Sequence, residues 1–126
     1  MAAEIDVLVV DEDDDMLELT ETFLERESDA ISVTTEKHPP TAAERLEDGE
    51  FDCVVSDLRM PEMDGIELCQ AVREKRPELP FFLFTAASPS DIESQEGSDQ
   101  LSGTVQKGTG TDHYTDLANR IEAASE

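Results

Sequence analysis

At 126 residues, 37% of them hydrophobic, the chain suits one domain with one modest core, and it holds no apolar run near the ~18 residues that read as a membrane span. Its 32 acidic residues against 9 basic ones give a formal charge of −23, which would repel nucleic-acid phosphates and anionic lipid and so argues against direct binding to either. The acids are spread between apolar positions and lysine is scarce (Lys37, Lys75, Lys107), the composition of a salt-adapted protein whose self-repulsion salt would screen; with no basic residue or signal-peptide pattern at 1–6, a cytoplasmic location is expected.

Ile5–Val10 is dominated by Val, Ile and Leu, as a strand buried on both faces requires. Residues 14–26 form a helical pattern with Met16, Leu17, Thr20, Phe23 and Leu24 on one stripe, and 31–35 is a β-branched strand. His38-Pro39-Pro40 punctuates; Pro40 can begin a helix through Ala43 and Leu46, which Asp48-Gly49 ends. A third strand covers 52–57. Met60-Pro61 opens a loop that closes at Asp64-Gly65, the entry to a helix carrying Ile66, Cys69 and Val72 and ending before Pro77. Residues 80–85 make a fourth strand, 88–100 is polar and patterned for one poor helix at most, and 104–107 is a short fifth strand. Asp112–Ala124 is a final helix, with Tyr114, Leu117, Ala118 and Ile121 at helical spacing. Cys53 and Cys69 fit no metal spacing: Cys53 reads as a small buried apolar residue and Cys69 as semi-buried on its helix, while His38 and His113 read as solvated surface residues.

Five βα units imply an α/β fold of three layers, a five-stranded parallel sheet covered by five helices. In the flavodoxin-like order 2-1-3-4-5, ligands sit beyond the carboxyl ends of strands 1 and 3. The polar residues of interest fall there: Asp11 and Glu12 after strand 1, Asp57 at the end of strand 3, Thr85 at the end of strand 4 and Lys107 at the end of strand 5. Three carboxylates on one rim repel one another, and a hard divalent cation removes the conflict. Mg²⁺ prefers oxygen ligands, keeps several waters and accepts phosphate oxygens, so the set reads as an Mg²⁺ site with room for a phosphoryl group. Lys107 would add a point charge for phosphate and Thr85 a hydroxyl donor.

Val-Val-Asp11-Glu12-Asp13, then Ser56-Asp57-Leu-Arg-Met-Pro61-Glu-Met-Asp64-Gly65, then Phe84-Thr85-Ala86, then Val105-Gln106-Lys107 resembles, over nearly the whole chain, the receiver domains of two-component response regulators. Each motif alone is weak; four in order on the right strand ends are specific. The resemblance implies that Asp57 takes a phosphoryl group from a phosphohistidine of a sensor histidine kinase or phosphotransfer protein. It implies that Asp11, Glu12, Asp57 and the backbone carbonyl of Arg59 hold Mg²⁺, directly or through water. Lys107 would pair with a phosphoryl oxygen, and Thr85 would move to hydrogen-bond the phosphate and report its arrival. Such a domain catalyses its own phosphorylation and dephosphorylation without being a turnover enzyme. The family also offers dimerisation through the face from strand 4 to helix 5, for which 88–100 is too acidic and unpatterned here. The expected unit is one receiver domain, 1–126, and the Lys-Gly-Thr-Gly run at 107–110 resembles receivers of haloarchaeal multi-domain sensors, favouring a piece of a longer chain with fused output domains over a stand-alone receiver.

The chain departs from the pattern at Thr104, where the family has an aromatic, and at Gly108, where it has proline after a cis bond. The first puts the usual route to an output in doubt; the second predicts a trans Lys107–Gly108 bond or a rearranged loop, since a cis bond before a non-proline costs about 2.5–4 kcal/mol. Simpler readings explain less. Acids at 11–14 can cap a helix, but capping accounts for neither Asp57 nor Lys107. An EF-hand fails because Met16 and Thr22 stand where glycine and glutamate are needed. Binding of FMN would put phosphate against five consecutive acids. An Asp-x-Asp phosphatase lacks its second acid at Arg59, and a degenerate receiver serving only as an interaction module would not need all five rim residues.

Overall fold

Strands and helices alternate in a computed structural model that describes residues 4–49, 51–108 and 112–124. The elements are β1 (Ile5–Val10), α1 (Asp14–Glu27), β2 (Ile31–Glu36), α2 (Pro39–Glu47), β3 (Cys53–Ser56), α3 (Gly65–Lys75), β4 (Phe81–Thr85), α4 (Pro89–Glu93), β5 (Gly103–Gln106) and α5 (Asp112–Ala124). All neighbouring strands pair in parallel, in the order β2-β1-β3-β4-β5. This is the flavodoxin-like arrangement the βα alternation implies.

Side chains of a strand alternate between the two faces of its sheet, and that parity divides the core in two. Val7, Val9, Cys53, Val55, Phe82, Phe84 and Val105 face α1 and α5, where Leu17, Leu24, Tyr114, Leu117 and Ile121 cover them. Leu8, Val10, Val54, Phe81 and Leu83 face the other way, toward Leu46 of α2, Leu68 and Val72 of α3 and Ile92 of α4. The three central strands, β1, β3 and β4, need apolar residues at both parities, hence their Val- and Phe-rich runs, whereas β2 and β5 feed one core only.

The helices begin where the sequence supplies acceptors. Asp13 caps α1 by accepting from the backbone N–H of Asp15 and Met16, and Asp64 and Glu67 form a reciprocal capping box at α3. Both Pro39 and Pro40 lie in the first turn of α2, one residue earlier than Pro40 alone suggests. The 88–100 segment holds only the five residues of α4 and a 3-10 turn at Ser98–Gln100. Arg73 of α3 ties that turn down: its guanidinium donates to the carbonyl of Gln100 through Nε (3.0 Å) and Nη2 (2.9 Å), and also to the carbonyls of Arg76 and Leu79. On the outer edge of the sheet, the Val33 N–H of β2 donates to Glu25 Oε2 at 2.9 Å.

Two expectations are corrected. Cys69 is fully buried rather than semi-buried, because the 3-10 turn closes over it and its Sγ meets the Gln100 carbonyl at 3.6 Å. His113 is half-buried rather than fully solvated: its ring stacks on Phe84 at a centroid distance of 5.4 Å and meets Tyr114 at 4.3 Å. Burial pushes the Cys53 thiol up to about 12 and the Cys69 thiol up to about 11, so both stay protonated and inert at neutral pH. No helix among the described residues is long and apolar enough to cross a membrane.

Gly65 opens α3 directly beneath the end of β3. A Cβ there would collide with the carbonyl oxygen of Asp57 and lie 2.7 Å from Leu83 Cδ2. Gly65→Ala is therefore expected to lower stability by about 1–3 kcal/mol, read as a lower urea midpoint at unchanged m-value.

Candidate functional site

Asp11, Asp57 and Lys107 each stand one residue beyond the last residue of their strand, and backbone hydrogen bonds extend the sheet far enough to fix them. The Asp57 N–H donates to the Val10 carbonyl (3.0 Å), the Lys107 N–H to the Thr85 carbonyl (2.8 Å) and the Asp11 N–H to the Glu36 carbonyl (3.2 Å). The strand order puts β1 beside β3, so the two carboxylates share the crevice at the point where the chain reverses its direction of winding. Lys107 reaches them from β5. Its Nζ lies 3.3 Å from Asp11 Oδ2 and 3.7 Å from Asp57 Oδ1.

Local donors orient both acids. Asp11 Oδ1 accepts from the Asp13 N–H at 2.9 Å, and Asp57 Oδ1 accepts from the Leu58 N–H at 2.8 Å. Asp11 is only 4% exposed, whereas Asp57 keeps an accessible edge. Burial raises the Asp11 carboxyl above its usual range; the Asp13 N–H and the Lys107 charge oppose that rise, and the Asp57 charge adds to it. Two carboxylates against one ammonium leave the rim negative, with Glu12 exposed beside it.

That donor set fits a hard divalent cation. Among the described residues no three His, Cys, Asp or Glu side chains gather into a ready-made metal group. An ion here would take Asp11 and Asp57 as its main protein ligands and complete its shell with carbonyl and water oxygens, the manner in which Mg²⁺ is commonly held beside phosphate.

Of the residues singled out from sequence, the structure brings Asp11, Asp57 and Lys107 together. Glu12 and Arg59 follow their strands and stay exposed, and among the described residues no hydrogen bond or ion pair joins their side chains to this cluster. Thr85 is buried at the end of β4, where its Oγ1 accepts from the Ala87 N–H at 3.3 Å; among the described residues no hydrogen bond joins it to Asp57 or Lys107. Thr104 lies half-buried opposite Leu83. No peptide bond among the described residues is cis, Lys107–Gly108 included, while Thr109 and Gly110 of the Lys-Gly-Thr-Gly run lie outside the described residues. Sequence reading missed two neighbours of the cluster. Phe84, taken as core strand alone, lies with its ring centroid 5.5 Å from Lys107 Nζ, and His113 stacks on the same ring. The only sequence signal was that Phe84 shares a strand face with Phe82 and precedes Thr85.

Comparison with known proteins covers most of the chain. The family model described as "Response regulator receiver domain" matches residues 7–119. The response regulator receiver protein CpdR of Brucella abortus is 29% identical over 92% of this chain and 92% of its own length. The transcriptional regulatory protein ResD of Bacillus subtilis is 39% identical over 66% of this chain but only 33% of its own length, so the match spans about a third of that regulator. Among solved structures, the response regulator TrrA of Thermotoga maritima, in complex with Mg²⁺ and BeF, has a TM-score of 0.82 at 25% identity, covering 93% of this chain and 98% of its own. The chemotaxis response regulator CheY4 of Vibrio cholerae has the same fold, with a TM-score of 0.80 at 23% identity over 94% and 99% of the two chains.

Because burial and the Asp57 charge both disfavour ionised Asp11, the neutral isostere should relieve the rim. Asp11→Asn is expected to raise the thermal midpoint by a few degrees at neutral pH in chelator-treated buffer at fixed salt, measured by circular dichroism.

Proposed function

The chain belongs to the response regulator receiver domain family, and we propose that Asp57 is its phosphoryl acceptor. As a receiver it serves two-component signalling, taking its input from a histidine kinase or phosphotransfer protein. The observation that carries the assignment to Asp57 is the pairing of its accessible carboxylate with Lys107 at 3.7 Å, beside the buried Asp11, at the crevice of a parallel sheet.

A carboxylate oxygen of Asp57 attacks phosphorus, the phosphorus–nitrogen bond of the phosphohistidine breaks, and the imidazole leaves with the bonding pair. Little covalent work is asked of the protein; positioning and charge neutralisation account for most of the rate. Lys107 is already beside the attacking group and exchanges a carboxylate oxygen for a phosphoryl oxygen as negative charge arrives. Asp11 and Asp57, with Glu12 through water and the Arg59 carbonyl, would hold Mg²⁺, which supplies neutralisation of the phosphoryl oxygens when bound. Thr85 leaves the Ala87 N–H to bond the phosphate. The same machinery lets an in-line water reverse the modification, so the domain acts on itself and is not a turnover enzyme. Thr104, in place of an aromatic, affects how Thr85 is read by the output face and not the transfer at Asp57.

The finer assignment is a salt-adapted, cytoplasmic receiver of haloarchaeal type, one domain over 1–126, joined to output domains in a longer chain. The charge of −23 and the Lys-Gly-Thr-Gly run support it.

Incubating the protein at high salt with Mg²⁺ and phosphoramidate is expected to add the mass of one phosphoryl group, seen by intact mass spectrometry, and Asp57→Asn should abolish it. Unmodified wild type would leave only the interaction-module reading. In a separate measurement, the thermal midpoint should climb with KCl and level off toward about 1 M, where the screening length has shrunk to ~3 Å; a midpoint indifferent to salt would remove the salt-adapted reading.

A further inference from the structure

Lys107 is a long, flexible side chain carrying a compact charge, yet only a small fraction of it, 17%, is exposed. Its contacts with Asp11 at 3.3 Å and Asp57 at 3.7 Å are longer than the ~2.7–2.9 Å of a tight charged hydrogen bond, so the carboxylates alone do not fix the ammonium. A third neighbour remains: Nζ stands 5.5 Å from the centroid of the Phe84 ring, within the ~6 Å over which a cation is drawn to an aromatic face. Phe84 is 3% exposed and belongs to the core on the α5 side of the sheet. Its ring is held in turn: His113 stacks on it at 5.4 Å and 29°, Tyr114 meets it at 5.4 Å and 57°, and Tyr114 stacks on Phe23 of α1 at 4.9 Å and 21°.

We propose that Phe84 is a positioning residue for phosphoryl transfer, its ring forming a fixed platform that holds the Lys107 ammonium at the rim. The inference rests on the reading of Asp57 and Lys107 given above and adds to it. Phe84 touches no reacting atom. An aromatic face attracts a cation without demanding one direction, so Lys107 keeps this contact while it changes oxygen partners from Asp11 to an incoming phosphoryl group. A hydrogen-bonding platform would have to break its bond at that moment. The ring also blocks retreat of the side chain into the core and leaves the carboxylate side as its open direction.

The test separates this role from plain packing, using the full chain at high salt. Phe82 lies on the same face of the same strand, in the same cluster and 4% exposed, with no aromatic contact to Lys107 among the described residues. Phe84→Leu is expected to slow modification by phosphoramidate in Mg²⁺ three- to tenfold, roughly the range of one cation–aromatic contact. Phe84→Tyr should restore the rate, and Phe82→Leu should leave it within twofold while costing similar stability in urea. The chain has three lysines, Lys37, Lys75 and Lys107, so lysine-labelled NMR resolves them. The ε-methylene of Lys107 should carry an upfield ring-current shift that Phe84→Leu removes. An unshifted Lys107 in the wild type, an unchanged rate in Phe84→Leu, or an equal loss in Phe82→Leu would overturn the proposal. Wild type that accepts no phosphoryl group would overturn the assignment of Asp57 instead, and the ring-current shift would still report where the ammonium sits.

Discussion

One ammonium between two carboxylates is the constraint on which the rim is organised. Asp11 and Asp57 cannot drift apart, because their own N–H groups are bonded to Glu36 and Val10 at the ends of neighbouring strands. Their repulsion has to be met where they stand, and Lys107, anchored in the same way through Thr85, meets part of it. The residual negative charge is what the proposed cation would neutralise before a phosphoryl group arrives. Stability at this spot is given up, since buried like charges cost free energy unless they are compensated.

The sheet explains why such a small chain can hold this arrangement firmly. Parallel strands flanked by helices on both faces reach water at their ends, and ligands sit at the carboxyl ends. Two cores of opposite parity clamp β1, β3 and β4 from both sides, so Asp11 and Asp57, one step beyond β1 and β3, inherit their positions with little freedom. Gly65 brings α3 close enough to β3 that the main chain of Asp57 is packed from beneath as well. The acidic surface is the opposite environment: Lys37 and Asp14 pair at 3.1 Å with side chains 58% and 73% exposed, a contact of small energetic consequence beside that of Lys107.

Much of this was legible in the residues. The Val/Ile/Leu runs and the acids at their ends located β1 and β3, and α1 extends only one residue beyond its expected end, to Glu27. The expectation for 88–100 held because no periodic apolar face exists there to bury; a five-residue helix and a 3-10 turn are all that forms. What stayed hidden depends on partners distant in sequence. Cys69 is sealed by a turn about thirty residues later. His113 looks like any polar residue at the start of a helix until the α5 crossover lays it on Phe84. Phe84 itself announces a core position through its parity, and parity does not tell which side chain from β5 crosses over its ring. The direction of the Thr85 hydroxyl, toward Ala87, is likewise a loop property that no spacing encodes.

The contact between Glu25 and the Val33 N–H has a meaning for how copies of this domain meet. An edge strand presents free backbone donors that invite another strand to pair, and a carboxylate seated on one of them breaks the row. A second molecule approaching β2 edge-on would have to strip Glu25 from Val33 and bury its charge in the new seam. That margin of the sheet is thereby less open to strand-by-strand growth, which matters most wherever salt screens the long-range repulsion that otherwise holds such acidic molecules apart.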